Sequence, residues 1–250
     1  MSSSKVTLIF IPAYNEADNI AQVVNATQAQ LPDADLLVVD DGSTDDTVAV
    51  ALAAGASVAS LPFNQGLGAA LQTGYLEAKR GNYAYCAHLD ADGQHRPEDL
   101  QMLLEAVKED ECDLAVGSRY LDQQALEEAV EGMYKPNLSR NLGSVLFRQA
   151  LSAVTGHRFT DTTSGLRAAN RKIIDQFSAV YAPDYAELES LQRSLALGLR
   201  VREYPVVMLE RFSGKSKIGF FASLHFTFKS TLVLLIGSLR RRRDNREQAK

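Results

Sequence analysis

The stretch Leu89-Asp90-Ala91-Asp92-Gly93-Gln94-His95 follows Tyr83-Ala84-Tyr85-Cys86-Ala87-His88 and precedes Arg96-Pro97-Glu98-Asp99-Leu100. The first flank is β-prone and reads as a strand that ends inside a sheet. The second reads as the first turn of a helix: Pro97 has no N–H to leave unbonded there, and Glu98 and Asp99 suit the positive end of the helix dipole. Asp90 and Asp92 therefore stand where the chain leaves a strand, and a turn between them can aim both into one crevice. Half-buried without a counter-charge, they would repel and be costly to desolvate. A hard divalent cation, Mg2+ or Mn2+, removes both costs and favours a few carboxylates plus phosphate oxygens. The pair then implies a metal that clamps a diphosphate. Taken alone, the same residues also serve as a polar turn that caps a helix.

Upstream, Val6 to Ile11 is a short apolar run rich in β-branched residues, the mark of a strand buried on both faces. It ends at Pro12-Ala13-Tyr14-Asn15-Glu16, and helical spacing follows from Ala17 to Leu31. Asp35 to Asp40 reads as a second strand, which runs into the turn Asp41-Gly42-Ser43-Thr44-Asp45-Asp46 and a helix over Thr47 to Ala54. Ala56 to Leu61 reads as a third strand and Ala69 to Arg80 as a helix. After the strand at Asp90 come a helix over Pro97 to Glu109 and a strand over Asp113 to Gly117. Strands alternating with helices at short spacing imply an α/β fold with a parallel, doubly wound sheet, and such sheets bind ligands beyond the carboxyl ends of their strands. The clusters at Pro12–Glu16, Asp40–Ser43 and Asp90–Asp92 all fall at that end.

Three other motifs fail. Gly66-Leu67-Gly68 lacks the third glycine of a dinucleotide fingerprint, since Leu71 stands there, and its helix does not follow the first strand. Asp90-Ala91-Asp92-Gly93 is similar to the haloacid-type phosphatase motif, but that chemistry needs a nucleophilic Asp at the end of the first strand, which here ends in Pro12. An EF-hand loop is excluded because His95, Arg96 and Pro97 occupy its middle.

After Gly117-Ser118-Arg119-Tyr120 the pattern changes. Leu121 to Lys135 is acidic and irregular and reads as a mobile loop. Asn137 to Thr155 reads as an amphipathic helix with Arg140 and Ser144 one turn apart on one face, a candidate anion site or a solvated surface. Asp161-Thr162-Thr163-Ser164-Gly165 is a polar turn, Asp184 to Leu199 a helix bearing Glu187 and Glu189, and Val201 to Val207 the last strand. Arg211-Phe212-Ser213-Gly214-Lys215-Ser216-Lys217 reads as a basic loop able to close over phosphates. Ile218 to Leu239 is the most apolar segment, but His225 and Lys229 interrupt it, and a lysine near the centre of a spanning helix would cost roughly 3 kcal/mol. It reads as amphipathic helix in a membrane interface, pinned on anionic lipid by Arg240 to Arg243; a helix packed on the catalytic domain is the alternative.

A chain of 250 residues, 46% hydrophobic, can bury a full core. Its net charge of −5 gives no general affinity for nucleic acid, yet the basic residues gather in the last forty positions, a tail suited to an anionic surface. Cys86 and Cys112 have no metal spacing and read as buried apolar residues in a reducing compartment. No signal-peptide pattern is visible.

Together these residues resemble the family 2 inverting glycosyltransferases of GT-A fold, and within them the dolichol- or polyprenol-phosphate mannose synthases and bacterial polyprenyl-phosphate sugar transferases. The resemblance is carried by Pro12–Glu16, Asp40–Ser43, Asp90–His95, Gly117–Tyr120, Asp161–Gly165 and Arg211–Lys217. It implies a GT-A domain over residues 1–217 and an amphipathic interfacial helix with a basic tail over 218–250. It further implies a nucleotide-sugar donor held by Pro12, Tyr14, Glu16, Val39, Asp41, Asp90, Ala91, Asp92, Gln94, Arg119, Arg211 and Lys217. Mg2+ or Mn2+ is expected on Asp90, Asp92 and Gln94, and a polyprenyl phosphate acceptor on Arg140 and Ser144, with Asp92, Arg119 and Arg140 as the catalytic groups. The expected reaction is inverting sugar transfer, with GDP-mannose favoured as donor, by an enzyme peripheral to the cytoplasmic face of a membrane; a homo-oligomer or an integral membrane partner is left open. Tyr185-Ala186-Glu187-Leu188-Glu189 departs from the mannose synthases toward glucose and N-acetylglucosamine transferases, so UDP-glucose and UDP-N-acetylglucosamine remain alternative donors. Transfer to a sugar hydroxyl in cell-envelope polysaccharide synthesis, or a nucleotide-sugar scaffold without turnover, are the competing functions. Processive polysaccharide synthases are disfavoured because they carry a Trp in the product site and this chain has none.

Overall fold

A computed structural model describes residues 6–122, 152, 156–181 and 186–209. The first half alternates as its punctuation dictates: β1 (Thr7–Ala13), α1 (Ala17–Gln30), β2 (Asp35–Asp40), α2 (Thr47–Ala53), β3 (Ser57–Ser60), α3 (Leu67–Arg80), β4 (Tyr85–His88), α4 (Pro97–Lys108) and β5 (Leu114–Ser118). The second half adds β6 (Arg167–Asn170), α5 (Arg171–Ala179), α6 (Ala186–Ala196) and β7 (Val201–Pro205). Pro97 opens α4 with Glu98 and Asp99 in the first turn, as the dipole favours. Asn170 caps α5 by accepting the N–H groups of Lys172 and Ile173.

One seven-stranded sheet runs β3-β2-β1-β4-β6-β5-β7. Residues alternate across β1: Leu8 and Phe10 join a core with α3, α5 and α6, whereas Ile9, Ile11 and Ala13 join a core with α1 and α4 on the other face. Both faces are covered, so β1 is buried throughout and could be read as a continuous apolar run. Cys86 and Cys112 are buried and free, one in each core.

The sheet is mostly parallel, as expected for a GT-A fold of Rossmann-like kind, and β6 is the exception that strand–helix alternation does not show. β6 runs antiparallel to both β4 and β5, with Arg167 opposite His88 and Val116. The reversal matters for the site: β6 starts at the carboxyl edge of its neighbours, so the turn Asp161–Gly165 that feeds it lies at that edge too. A four-residue strand with the sequence Arg-Ala-Ala-Asn carries no apolar signature of its own, so only the turn before it is visible in the sequence.

Candidate active site

Three strand ends meet at one edge of the sheet. β1 pairs on one side with β2, setting Ala13 opposite Asp40, and on the other with β4, setting Phe10 opposite His88. The Pro12–Glu16, Asp40–Ser43 and Asp90–Asp92 clusters are thereby side by side.

The first two clusters are tied together by their own polar groups. Asn15 takes a positive φ of 53°, which its short polar side chain tolerates, and its Oδ1 accepts the Thr44 N–H at 2.8 Å. The Asn15 N–H donates to Ser43 Oγ at 2.9 Å and the Glu16 N–H to Thr47 Oγ1 at 2.9 Å. Tyr14 and Glu16 are half-buried on this turn, and Glu16 Oε2 accepts Asn19 Nδ2 at 2.8 Å. Pro12 is buried, and Val39 is fully enclosed in the core, so Val39 could meet a nucleotide only through its main chain. Asp41, also buried, is occupied structurally: its two oxygens accept the N–H groups of Gln65 and Gly66 at 2.7 and 2.8 Å. Gly42 holds a φ of 69° against the main chain of Phe63, where a Cβ would lie 2.5 Å from the Phe63 carbonyl carbon, so the β2 turn admits no side chain at that point.

The third cluster is held from several sides. The half-buried Asp90 carboxylate contacts His95 Nε2 at 3.2 Å. Across from it, a Cβ on Gly165 would lie 2.6 Å from Asp90 Oδ2, so only glycine lets the β6 turn come this close. Burial opposes the Asp90 charge, but the His95 hydrogen bond and the charges of neighbours including Arg119 outweigh it and hold the carboxyl below its usual range. Ala91, Asp92, Gln94 and His95 are buried beside it. Asp92 Oδ1 accepts the Gln94 N–H at 3.0 Å, closing the turn on itself. Gln94 Nε2 donates to the Leu209 carbonyl at 3.0 Å and the Leu209 N–H returns to the Gln94 carbonyl at 2.8 Å, so the chain leaving β7 lies along this loop.

These residues fit a hard cation by chemistry. Asp90 and Asp92 offer carboxylate oxygens, Gln94 an amide oxygen, and the glycine-bared cradle keeps Asp90 at the open edge. No group of three or more His, Cys, Asp or Glu suited to a metal occurs among the described residues. That leaves the two-carboxylate set, which suits a cation that completes its shell with phosphate oxygens and water.

Arg119 follows β5 and is aimed by Asp161. Asp161 oxygens accept Nε at 2.5 Å and Nη2 at 2.8 Å, and Nη2 also donates to Thr163 Oγ1 at 2.7 Å. Burial works against both charges, but each outweighs it for the other: the carboxyl titrates low and the guanidinium high. Below the site, Arg167 is fully enclosed and bonds the Ser164 carbonyl, Ser190 Oγ and the Glu187 carbonyl, tying β6 to the first turns of α6. Burial, with Asp90 adding to it, raises the Glu187 carboxyl against the pull of Arg167. His88 is pushed down to about 3 by burial and by the Arg167 charge, and its neutral ring stacks on Phe10 at 5.1 Å.

The structure thus brings Pro12, Tyr14, Glu16, Val39, Asp41, Asp90, Ala91, Asp92, Gln94 and Arg119 to one edge. Arg140, Ser144, Arg211, Lys217 and the 218–250 segment lie outside the described residues, as do most of the Leu121–Lys135 loop and the Asn137–Thr155 helix. His95, Asp161 and Gly165 lie inside motifs that carry the resemblance but receive no role from the sequence, and Arg167 receives neither. The Asp161–Gly165 turn was the available signal, and its role depends on the direction of β6. No helix among the described residues is long and apolar enough to cross a membrane.

The glycosyl transferase family 2 model matches residues 8–177. The polyprenol monophosphomannose synthase of Mycolicibacterium smegmatis is 34% identical over 221 residues, covering 85% of this chain and 80% of that protein. The undecaprenyl-phosphate mannosyltransferase of Micrococcus luteus is 32% identical over 220 residues, covering 84% and 86%. The fold matches a crystal structure of glucosyl-3-phosphoglycerate synthase from Mycobacterium tuberculosis, in complex with Mn2+, uridine diphosphate and glucosyl-3-phosphoglycerate. That match has a TM-score of 0.65 at 24% identity and covers 94% of this chain and 80% of that one. The acidic strand end at Asp90, the mixed sheet that frames it and the match across both cores assign this chain to the family 2 glycosyltransferases, with a GT-A fold.

Proposed function

We propose that this glycosyltransferase moves mannose from GDP-mannose to a polyprenyl phosphate with inversion at the anomeric carbon. The observation that carries the reading is the likeness to two polyprenyl-phosphate mannose enzymes, each above 30% identical over more than four fifths of this chain. The geometry at Asp90 and Arg119 supports it, because both groups belong at a leaving diphosphate.

The acceptor phosphate oxygen attacks the anomeric carbon. A carbon–oxygen bond forms as the bond to the diphosphate breaks, and the electron pair leaves with the nucleotide. A phosphate nucleophile is already ionised, so the step has no obligatory general base. Asp90, Asp92 and Gln94 would hold Mg2+ or Mn2+, which when bound neutralises charge on the departing diphosphate. Arg119, fixed by Asp161, stands on the same edge, where its charge helps keep Asp90 ionised, and would add preorganised positive charge at the departing diphosphate. Tyr14 and Glu16 would hold the nucleoside and Arg140 with Ser144 the acceptor phosphate, while Arg211 and Lys217 would close over the donor. The basic, amphipathic 218–250 segment would keep the enzyme on anionic lipid at the cytoplasmic face.

Calorimetry of the full chain with GDP-mannose, UDP-glucose and UDP-N-acetylglucosamine, each with Mn2+ and with chelator, tests the reading. Metal-dependent binding of GDP-mannose alone, followed by mannosyl transfer to polyprenyl phosphate, is the expected result. A preference for a UDP-sugar would overturn the donor, and transfer to a sugar hydroxyl instead of the lipid phosphate would overturn the acceptor.

A further inference from the structure

We propose that Glu203, on the edge strand β7, is a positioning residue for the donor end of the site: it aims Arg119 without touching the donor itself. The inference rests on the reading above that Arg119 meets the donor diphosphate.

The geometry is a relay from one strand to the next. β7 pairs with β5 in parallel, with Glu203 opposite Val116, and β5 carries Arg119 just past its last residue, Ser118. The turn that grips Arg119 belongs to neither strand. Its main chain is instead held by Glu203, whose two oxygens accept the Thr160 N–H at 2.7 Å and the Asp161 N–H at 2.6 Å. Two consecutive N–H groups on one carboxylate fix both the position and the tilt of the peptide between them. The next link is Asp161, whose side chain is 1% exposed and takes the Arg119 fork with both oxygens. From the β5 side, Ser118 Oγ meets Thr160 Oγ1 at 2.5 Å, so the turn is clasped between the two strands.

A carboxylate is an expensive way to hold a loop at a half-buried place, because it must be partly stripped of water. An amide in its place offers one oxygen and turns an N–H2 donor toward the second peptide N–H. The carboxylate instead gives each N–H its own oxygen, and a small tilt of this peptide moves the Asp161 carboxylate and with it the guanidinium plane. The outward neighbours on β7 are engaged differently: Arg202 and Tyr204 both bond Glu111 at the surface. Glu203 thus couples to the donor through the turn it holds and the Asp161–Arg119 pair that the turn carries.

The test is a double-mutant cycle on the full chain, with Glu203→Gln and Arg119→Lys alone and together. It is read by calorimetric affinity for the donor nucleotide with Mn2+ and by kcat/KM for donor and for acceptor. Glutamine keeps the size and one acceptor oxygen, and lysine keeps the charge against Asp161 but loses the fork. Glu203→Gln should weaken donor affinity about tenfold with the acceptor KM unchanged, and should cost less than about twofold once Arg119 is lysine, as coupled residues do. Equal losses in both backgrounds would overturn the proposal, because a purely structural role is indifferent to the side chain at 119. If Arg119→Lys alone leaves donor affinity intact, the donor role of Arg119 fails first and the relay falls with it, a pattern distinct from equal losses. Should Glu203→Gln not fold, Glu203→Asp, which keeps both oxygens on a shorter stem, must show the same background-dependent loss.

Discussion

Asp161 receives the Arg119 guanidinium on both oxygens, at 2.5 and 2.8 Å, and the two ends of this pair differ in their access to water. The carboxylate side chain is 1% exposed and the arginine side chain 24%. Removing one partner strands the other, and the cost depends on which is stranded. Arg119→Met leaves a sealed carboxylate with no counter-charge, held only by the main-chain N–H of position 119 and by Thr163, and should lower stability by about 3 kcal/mol; Asp161→Asn leaves a cation that can turn toward solvent and should cost about 1 kcal/mol. Urea unfolding at pH 7 measures both. Equal losses, or a larger loss for Asp161→Asn, would contradict the burial asymmetry.

Gly165 should tolerate no side chain for reasons of function more than of folding. A Cβ there would lie 2.6 Å from Asp90 Oδ2, and the half-buried carboxylate is the part with room to yield. Gly165→Ala should therefore fold, with a stability loss of about 1 kcal/mol, while Mn2+-dependent donor binding falls at least about tenfold, because cation ligands displaced by a few tenths of an ångström no longer converge. Calorimetry with and without Mn2+ is the check, and unchanged metal-dependent binding would remove Asp90 from the cation site.

The carboxylates of this site were legible in the sequence because their signals are local. Asp90 and Asp92 lie between a β-prone run and a Pro97-led helix start, and Asp40 ends an apolar strand, so strand–turn–helix punctuation alone put them at the carboxyl edge. The groups that aim them were not legible, because their meaning is set across long separations. Glu203 acts on residues about forty positions away, and Gly165 matters only because β6 runs backwards beside β4. Arg167 carries no signal of its own in the sequence, yet it is fully buried and holds main-chain carbonyls. The short strand Arg167–Asn170 owes its existence to ladders with two neighbours, not to any apolar pattern of its own.

Gly74 in α3 sets helix propensity against packing. Alanine is favoured over glycine in a helix by about 1 kcal/mol. At this position, however, a Cβ would lie 2.5 Å from Phe10 Cε2. Phe10 is fully buried between Tyr75, edge-on at 5.2 Å, and His88, stacked at 5.1 Å, so its ring has no room to retreat. Overpacking of this kind costs about 1–3 kcal/mol and should outweigh the propensity gain. Gly74→Ala should be net destabilising in urea titrations, and a stabilised variant would show that the ring can move.

At the edge of the sheet opposite the site, Asp113 ties β7 and α5 to β5. Its carboxylate accepts Arg200 N–H at 2.8 Å, Asn170 Nδ2 at 2.8 Å, Lys172 Nζ at 3.1 Å and Arg200 Nε at 3.2 Å. Burial raises the carboxyl, but the Arg200 side-chain and main-chain bonds, with Asn170 and Lys172, outweigh it and hold it well below the usual range. The sign follows from that direction. The folded value lies below the unfolded one of about 3.9, so the unfolded chain takes up the proton first, and the contribution of Asp113 is complete above that pH and fades as the pH falls through the folded value. The Asp161 carboxyl, also held low, contributes in the same window. Asp113→Asn should lower the melting temperature at pH 7 and flatten its fall between about pH 4 and pH 2, with the two curves drawing together at the acid end. Melting curves across that range decide it: if variant and parent stay parallel, the proton is being taken up elsewhere and the Asp113 cluster is not what acid undoes.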